Sequence, residues 1–74
     1  MPPHAKRLTL QVPVREIPDH IGKPSHAAVL YYMAVRQKTG RPGPTRAEIV
    51  ENVGMAERTT AGAVNDLVKA GVIA

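Results

Sequence analysis

The sequence contains no cysteine, phenylalanine or tryptophan, and its only two aromatic residues are Tyr31 and Tyr32. The lack of cysteine excludes disulfides and thiolate metal ligands and is typical of proteins in a reducing compartment. With so few aromatic side chains, a surface on which single-stranded bases stack is not expected. No stretch is long and apolar enough to span a bilayer, and no charged start leads into a signal-peptide core. A cytoplasmic location without membrane contact is therefore expected.

Acidic residues are also few, since six Asp and Glu stand against ten Lys and Arg, giving a net charge of +4. A basic protein is attracted to polyanions before any specific contact forms, and nucleic acid is the commonest such partner. The length of 74 residues allows one domain and leaves no room for a cofactor domain. A core of this size gives marginal stability, which a partner subunit often supplements.

Side chains able to do chemistry are scattered along the chain. His4, His20 and His26 have no metal-ligand spacing with one another or with a pair of carboxylates. No nucleophile, base and orienting group form a recognisable arrangement, and no glycine-rich phosphate loop follows a strand. The sequence therefore predicts no enzyme, no metal, no cofactor and no small-molecule substrate.

Prolines divide the N-terminal third into short segments. Residues 1–7 are predicted to be a flexible basic tail, and residues 8–74 a single domain. The loose alternation from Leu8 to Val14 predicts a strand with every second side chain on one face. Because Pro13 cannot donate to a ladder, this should be an edge strand. A turn-rich segment is expected from Pro18 to Pro24.

The first predicted helix follows this segment. Ser25 is a suitable N-cap, and residues 26–38 contain no helix breaker. Gly40 and the proline-rich loop after it should end the helix.

Two further helices are predicted on either side of Gly54. Thr45 and Glu48 have the spacing of a capping box, which predicts a helix from about 46 to 52. A third helix is predicted over 56–70, ending at Gly71. Two short helices joined by a glycine turn have the geometry of a helix-turn-helix.

The segment from Pro44 to Ile73 resembles winged helix-turn-helix domains. It has their acidic second helix, glycine turn, Arg58-Thr59 opening of the third helix, and then a leucine, a glycine and an aliphatic pair. Val12-Pro13 and the Ser25 helix with Leu30-Tyr31 are similar to the N-terminal domains of plasmid and phage replication initiators, and to small repressors. The resemblance implies a mainly α fold, with a three-helix helix-turn-helix core, a short N-terminal edge strand and a truncated or absent wing.

Four positions of the third helix depart from the family pattern. Ala56 replaces the usual Ser or Thr cap, which is typically worth about 1 kcal/mol. Thr60 replaces an aliphatic residue and should weaken the contact between the second and third helices. Ala61 and Gly62 replace polar reading residues. The wing hairpin expected after Ile73 does not follow, either because the natural protein lacks it or because the sequence is a fragment.

In a helix-turn-helix the second helix of the pair lies in the major groove and presents its N-terminal outward face to base edges. By spacing, the candidates for base contacts are Glu57, Arg58, Ala61, Gly62 and Asn65. The candidates for phosphate contacts are hydroxyls and basic side chains: Arg36, Lys38, Arg41, Thr45, Arg46, Thr59 and Lys69.

These features predict sequence-directed binding of double-stranded DNA by a homodimer. The role would be that of a transcriptional repressor or a plasmid or phage replication or partition factor, associated with the nucleoid. The edge strand or the first helix would form the subunit contact, with Tyr31 or Tyr32 on the surface. Two third helices about 34 Å apart would match successive major grooves. The alternative is a protein-interaction module without base readout, favoured by the small Ala61-Gly62 face and the missing wing.

Overall fold

The structure, a computed structural model, describes residues 6–74 and is mainly helical. It contains a 3₁₀ helix, Val14–His20, followed by α1, Pro24–Lys38, α2, Arg46–Val53, and α3, Glu57–Lys69. The predicted mainly α fold with a three-helix core is confirmed. Most of the predicted tail, residues 1–5, lies outside the described residues. None of the helices in residues 6–74 has the length and apolar character needed to cross a membrane.

The core is centred on α1, which packs against α2, α3 and the 3₁₀ helix. The three α helices, the 3₁₀ helix and both ends of the described chain contribute buried apolar side chains to it, and these are Leu8, Ile17, Val29, Leu30, Met33, Ala34, Ile49, Ala63, Val64, Leu67, Val72 and Ile73. Thr60 is also fully buried. Its hydroxyl donates to the Ala56 carbonyl at 3.1 Å, so the polar atom placed in the core has a partner.

The start of α1 differs from the prediction. The helix begins at Pro24, with Lys23 as its N-cap residue and no side-chain capping bond, so the assignment of Ser25 as the N-cap was wrong. Proline suits the first helical position because its fixed φ is already helical and the N–H that it lacks would have no partner there. Gly40 follows the end of α1 with φ 71°, as predicted for a stop.

The N-terminal segment is extended but is not a regular strand. Isolated antiparallel bridges join Arg7 to Thr45 and Leu10 to Ile73. The backbone N–H of Leu8 donates to the Pro44 carbonyl, and those of Thr9 and Gln11 donate to the carbonyls of the last residues, Ala74 and Val72. Since the segment pairs within the chain on both sides, it does not offer the free edge expected for a subunit contact. Arg7 also belongs to the folded domain rather than to the tail.

The predicted strand ends early, because the chain turns at Pro13 into the 3₁₀ helix. Val14 is therefore 48% exposed rather than aligned with buried Leu8. The same helix occupies the first part of the predicted turn region. Proline favours φ near −65°, a value that a 3₁₀ helix accepts as readily as an extended chain does. Ile17, fully buried, fixes the 3₁₀ helix to the core.

The connection between α2 and α3 is the three-residue turn predicted from the sequence. Gly54 has φ 82°, a left-handed conformation that glycine adopts without steric cost. The capping box is present at the start of α2: the Thr45 hydroxyl accepts from the Glu48 N–H at 3.2 Å, and the Glu48 carboxylate accepts from the Thr45 N–H at 3.1 Å. Ala56, at the start of α3, provides no side-chain cap.

Candidate nucleic-acid interface

The outward face of α3 carries a row of four exposed residues: Arg58, Gly62, Asn65 and Lys69. Their spacing of four, three and four residues places them along one line of the helix. The opposite side, with Thr60, Ala63, Val64 and Leu67, is buried against the core. The polar side of α3 is thus presented to the exterior over the full length of the helix.

A shallow groove runs along the flank of this row that faces α2. It is lined by α2 and by the first half of α3, through Arg46, Ala47, Val50, Glu51, Glu57 and Ala61. A neighbouring groove brings Lys6 close to Arg46 and Val68. The predicted base-contacting residues Glu57 and Ala61 therefore lie on the α2 side of the row rather than at its centre.

Arg46 and Asn65 join the two helices at this flank. The Arg46 Nη1 donates to Asn65 Oδ1 at 2.6 Å. Arg46 is the first residue of α2, and its hydrogen bond to Asn65 places the guanidinium beside α3. A residue predicted to contact phosphate and one predicted to contact a base are thus directly bonded to each other.

The other flank of the row contains polar contacts with the start of α1. Asp66 Oδ2 lies 3.2 Å from His26 Nε2 and 4.0 Å from Lys23 Nζ. His26 Nδ1 accepts from the Gly22 N–H at 3.2 Å, which leaves the proton of neutral His26 on Nε2, facing the carboxylate. Because Asp66 is exposed and paired with basic groups, its charge is partly offset at the edge of the face.

Arg36 does not belong to the exposed face, contrary to the prediction of a phosphate contact. Its side chain is only 12% exposed. The guanidinium donates to the Pro42 carbonyl from Nε at 3.1 Å and from Nη2 at 2.9 Å, and Nη2 lies 3.4 Å from Glu48 Oε2. It also covers the Tyr32 ring, with its central carbon 6.0 Å from the ring centroid. Arg36 therefore ties α1 to the loop before α2.

The other predicted phosphate contacts are divided between different surfaces. Lys38 lies beside exposed apolar side chains of α1, and Arg41 borders a cleft with Thr9 and Leu10. Arg36 borders the same cleft as Arg41, whereas Arg46 lies in the groove between α2 and α3. Thr59 and Lys69 are exposed on α3. Thr45, the N-cap residue of α2, is half-buried.

Glu48 is the centre of an ionic network beneath the loop. Hydrogen bonding from the Thr45 N–H lowers the pKa of this carboxyl, and the charges of Arg36 and Arg7 lower it further, against an opposing effect of burial. Arg7 Nη1 lies 3.6 Å from Glu48 Oε1 and donates to the Gly43 carbonyl at 2.9 Å. The network holds the start of α2 and the N-terminal segment together.

Replacing Glu48 by glutamine should lower the thermal stability at neutral pH and make it less sensitive to acid. A carboxyl with a lowered folded-state pKa stabilises the fold above its ordinary pKa of about 4.3 and loses that contribution as the pH falls through the lower folded value. The glutamine amide oxygen can still accept from Thr45, whereas its NH2 group cannot accept from Arg36, so the charge and the contact that depends on it are removed together. Thermal unfolding from pH 7 to pH 2 should show the two proteins converging below about pH 4; a constant gap would contradict this role of the charge.

Comparison of the chain with protein-family models, with curated proteins and with solved structures found no match. The structure adds Lys6 to the residues considered from the sequence. Its proximity to Arg46 arises because the bridge between Arg7 and Thr45 fixes the adjoining segment beside α2. Lys6 lies within the predicted tail of residues 1–7, and a basic residue in such a segment gives no local signal of this position.

Proposed function

We propose that the protein binds double-stranded DNA in a sequence-directed manner with α3 in the major groove. The observation that carries the proposal is the exposed row on α3, which combines a guanidinium, an amide and an ammonium group on one line of an otherwise well-packed helix. The major groove admits an α-helix and displays a different pattern of donors and acceptors for each base pair. A non-catalytic role in transcriptional repression, or in plasmid or phage replication or partition, at the nucleoid, is part of this proposal.

Each residue of the row has a role in this arrangement. Arg58, in the first turn, would donate to the two acceptors of guanine, and Asn65 would pair with the edge of adenine. Lys69, Arg46 and Lys6 would contact phosphates on one side of the groove. Ala61 would lie against a thymine methyl group, and Glu57 would accept from cytosine.

Gly62 supports the proposal independently of charge. A β carbon built at this position meets no atom within 4 Å beyond the adjoining backbone of its own helix, and the φ angle is not left-handed. Glycine within a helix costs about 0.5–1 kcal/mol relative to alanine. No contact within the described chain requires a glycine at this position. A partner whose surface approaches the helix backbone closely would require one.

The proposal is tested by selecting duplexes from a random library and measuring their affinity over a salt series. We expect the selected duplex to bind more tightly than a scrambled one, with affinity falling as salt rises. Arg58→Ala should weaken binding of the selected duplex by about 5- to 150-fold, the equivalent of 1–3 kcal/mol for a bidentate base contact. Arg15→Ala, which removes an exposed charge from the 3₁₀ helix, is the matched control. Equal affinity of the wild type for all duplexes would refute sequence-directed binding.

We also propose that the protein is a homodimer that associates through α1. Three large apolar side chains form an exposed patch, with Val14 at 48%, Tyr31 at 52% and Val35 at 60% exposure. Tyr31 and Val35 are one turn apart on the side of α1 opposite its buried residues, so the patch leaves the outward face of α3 free. A two-fold contact is self-complementary and would place Tyr31 of one copy against Val35 of the other. A second copy would also supplement the small core.

Replacing Tyr31 by lysine should convert the dimer to a monomer without unfolding the chain. The side chain is half exposed, so the substitution creates no buried charge in the monomer, whereas it places two ammonium groups within a two-fold apolar contact. Sedimentation equilibrium measures the change directly. Gln11→Lys adds the same charge on the exposed N-terminal segment and should leave the mass unchanged. A monomeric wild type would exclude the proposed dimer.

A further inference from the structure

The hydrogen bond between Arg46 and Asn65 connects the start of α2 to the row on α3. Arg46 Nη1 and Asn65 Oδ1 are 2.6 Å apart, and a charged donor makes a stronger hydrogen bond than a neutral one. Within residues 6–74, Arg46 forms no ion pair with a carboxylate, and Asn65 has no other side-chain hydrogen bond. The guanidinium is thus directed at the amide of a neighbouring helix, although exposed carboxylates line the same groove.

This bond determines which way the Asn65 amide faces. A free asparagine can exchange its oxygen and nitrogen by a half-turn of the terminal torsion. With Oδ1 held by Arg46, the Nδ2 group, which carries two N–H donors, is the end left for a partner. One lone pair of Oδ1 also remains available. The guanidinium further polarises the amide and makes its N–H groups better donors.

We infer that Arg46 is a positioning residue that fixes Asn65 as a reader of an adenine edge. This inference rests on the proposed binding of α3 in the major groove. Adenine presents the N7 acceptor to Nδ2 and the N6 amino group to the remaining lone pair of Oδ1. Cytosine presents only an amino donor in the major groove, so it can donate to the remaining Oδ1 lone pair but offers no acceptor to the N–H groups of Nδ2. The fixed amide therefore favours adenine and disfavours cytosine at one position of the site.

The base pair read by Asn65 is identified first, as the position of the selected site at which Asn65→Ala loses the base preference. The test then compares duplexes that differ only at this base pair. We expect the wild type to prefer adenine to cytosine there by about tenfold, within the range for a bidentate contact. Arg46→Ala should reduce this ratio toward one, and the double variant should reduce it no further than either single variant. Arg46→Lys keeps the charge but lacks the planar guanidinium. Its ratio of affinities for adenine and cytosine should therefore fall, while the salt dependence of its DNA binding is retained.

Lys69→Ala is the matched control, because it removes a basic group from the same row without touching Asn65. It should weaken binding of all duplexes alike and lower the salt slope by about one unit, leaving the base ratio unchanged. Thermal unfolding should confirm that each variant is folded.

The outcomes separate the two proposals. If the wild type shows no sequence preference, the proposed function fails. If the wild type prefers adenine and Asn65→Ala loses that preference while Arg46→Ala keeps it, DNA binding stands and the positioning role of Arg46 is overturned. If no position of the selected site loses its preference in Asn65→Ala, the roles of both residues are overturned.

Discussion

Replacing Gly62 by alanine should raise the free energy of unfolding by about 0.5–1 kcal/mol and lower the affinity for duplex DNA by about tenfold. The stabilisation is expected because the helical backbone at this position gains a residue with better helix propensity and meets no steric obstacle. The loss of affinity is expected because a methyl group would stand in the centre of the row that faces the groove. Denaturant unfolding and binding titrations on the same preparations measure both effects.

Gly43→Ala is the matched control for this prediction, because glycine is required there by the protein itself. A β carbon at Gly43 would overlap the carbonyl oxygen of Leu8, which is backbone and cannot move aside cheaply. This variant should lose about 1–3 kcal/mol of stability. If Gly62→Ala gains stability and binds DNA as tightly as the wild type, the backbone of α3 does not approach its partner closely, and the placement of the row in the groove is wrong.

Replacing Arg36 by alanine should destabilise the fold by about 2–3 kcal/mol, since its charged hydrogen bonds to the Pro42 carbonyl and its contact with Glu48 would be lost. Arg41→Ala, five residues away on the exposed loop, should change the stability by less than about 0.5 kcal/mol. Urea unfolding of the two variants compares them directly.

The DNA-binding behaviour of the Arg36 variant distinguishes its structural role from the phosphate contact predicted by the sequence. A lost phosphate contact lowers the slope of log affinity against log salt by about 0.9. We expect no change of slope for Arg36→Ala under conditions where it is folded. A lowered slope with unchanged stability would show that the guanidinium binds DNA after all.

Local signals in the sequence were sufficient for α2, for α3 and for the end of α1. The capping box of Thr45 and Glu48 spans four residues, and Gly54 and Gly71 mark turns by their own conformational freedom. Since these signals act over a few residues, the end of α1 and the turn before α3 could be predicted. The start of α1 could not, because Pro24 and Ser25 are both acceptable near a helix start and nothing local decides between them.

The site was less predictable because its geometry depends on long-range contacts. The exposed row on α3 follows from helical periodicity and was predicted. Glu57 and Ala61, which were predicted to belong to the same face, lie instead on the flank toward α2. The inward position of Arg36 depends on the path of the loop up to Pro44, and the contact between Arg46 and Asn65 joins residues 19 apart. The bonds from Thr9 to Ala74 join residues 65 apart. Periodicity within a window of about 11–18 residues carries no information on such pairs.

The measurement that tests the central claim most directly is a titration of the isotope-labelled protein with the selected duplex, followed by backbone amide chemical shifts. Contact through the outward face of α3 predicts the largest changes at Arg58, Gly62, Asn65 and Lys69, with smaller ones at Lys6 and Arg46. The amides of Tyr31 to Lys38 on α1 should change little on adding DNA. Changes concentrated on α1, or no changes at all at saturating duplex, would contradict the assignment of α3 as the DNA-binding surface.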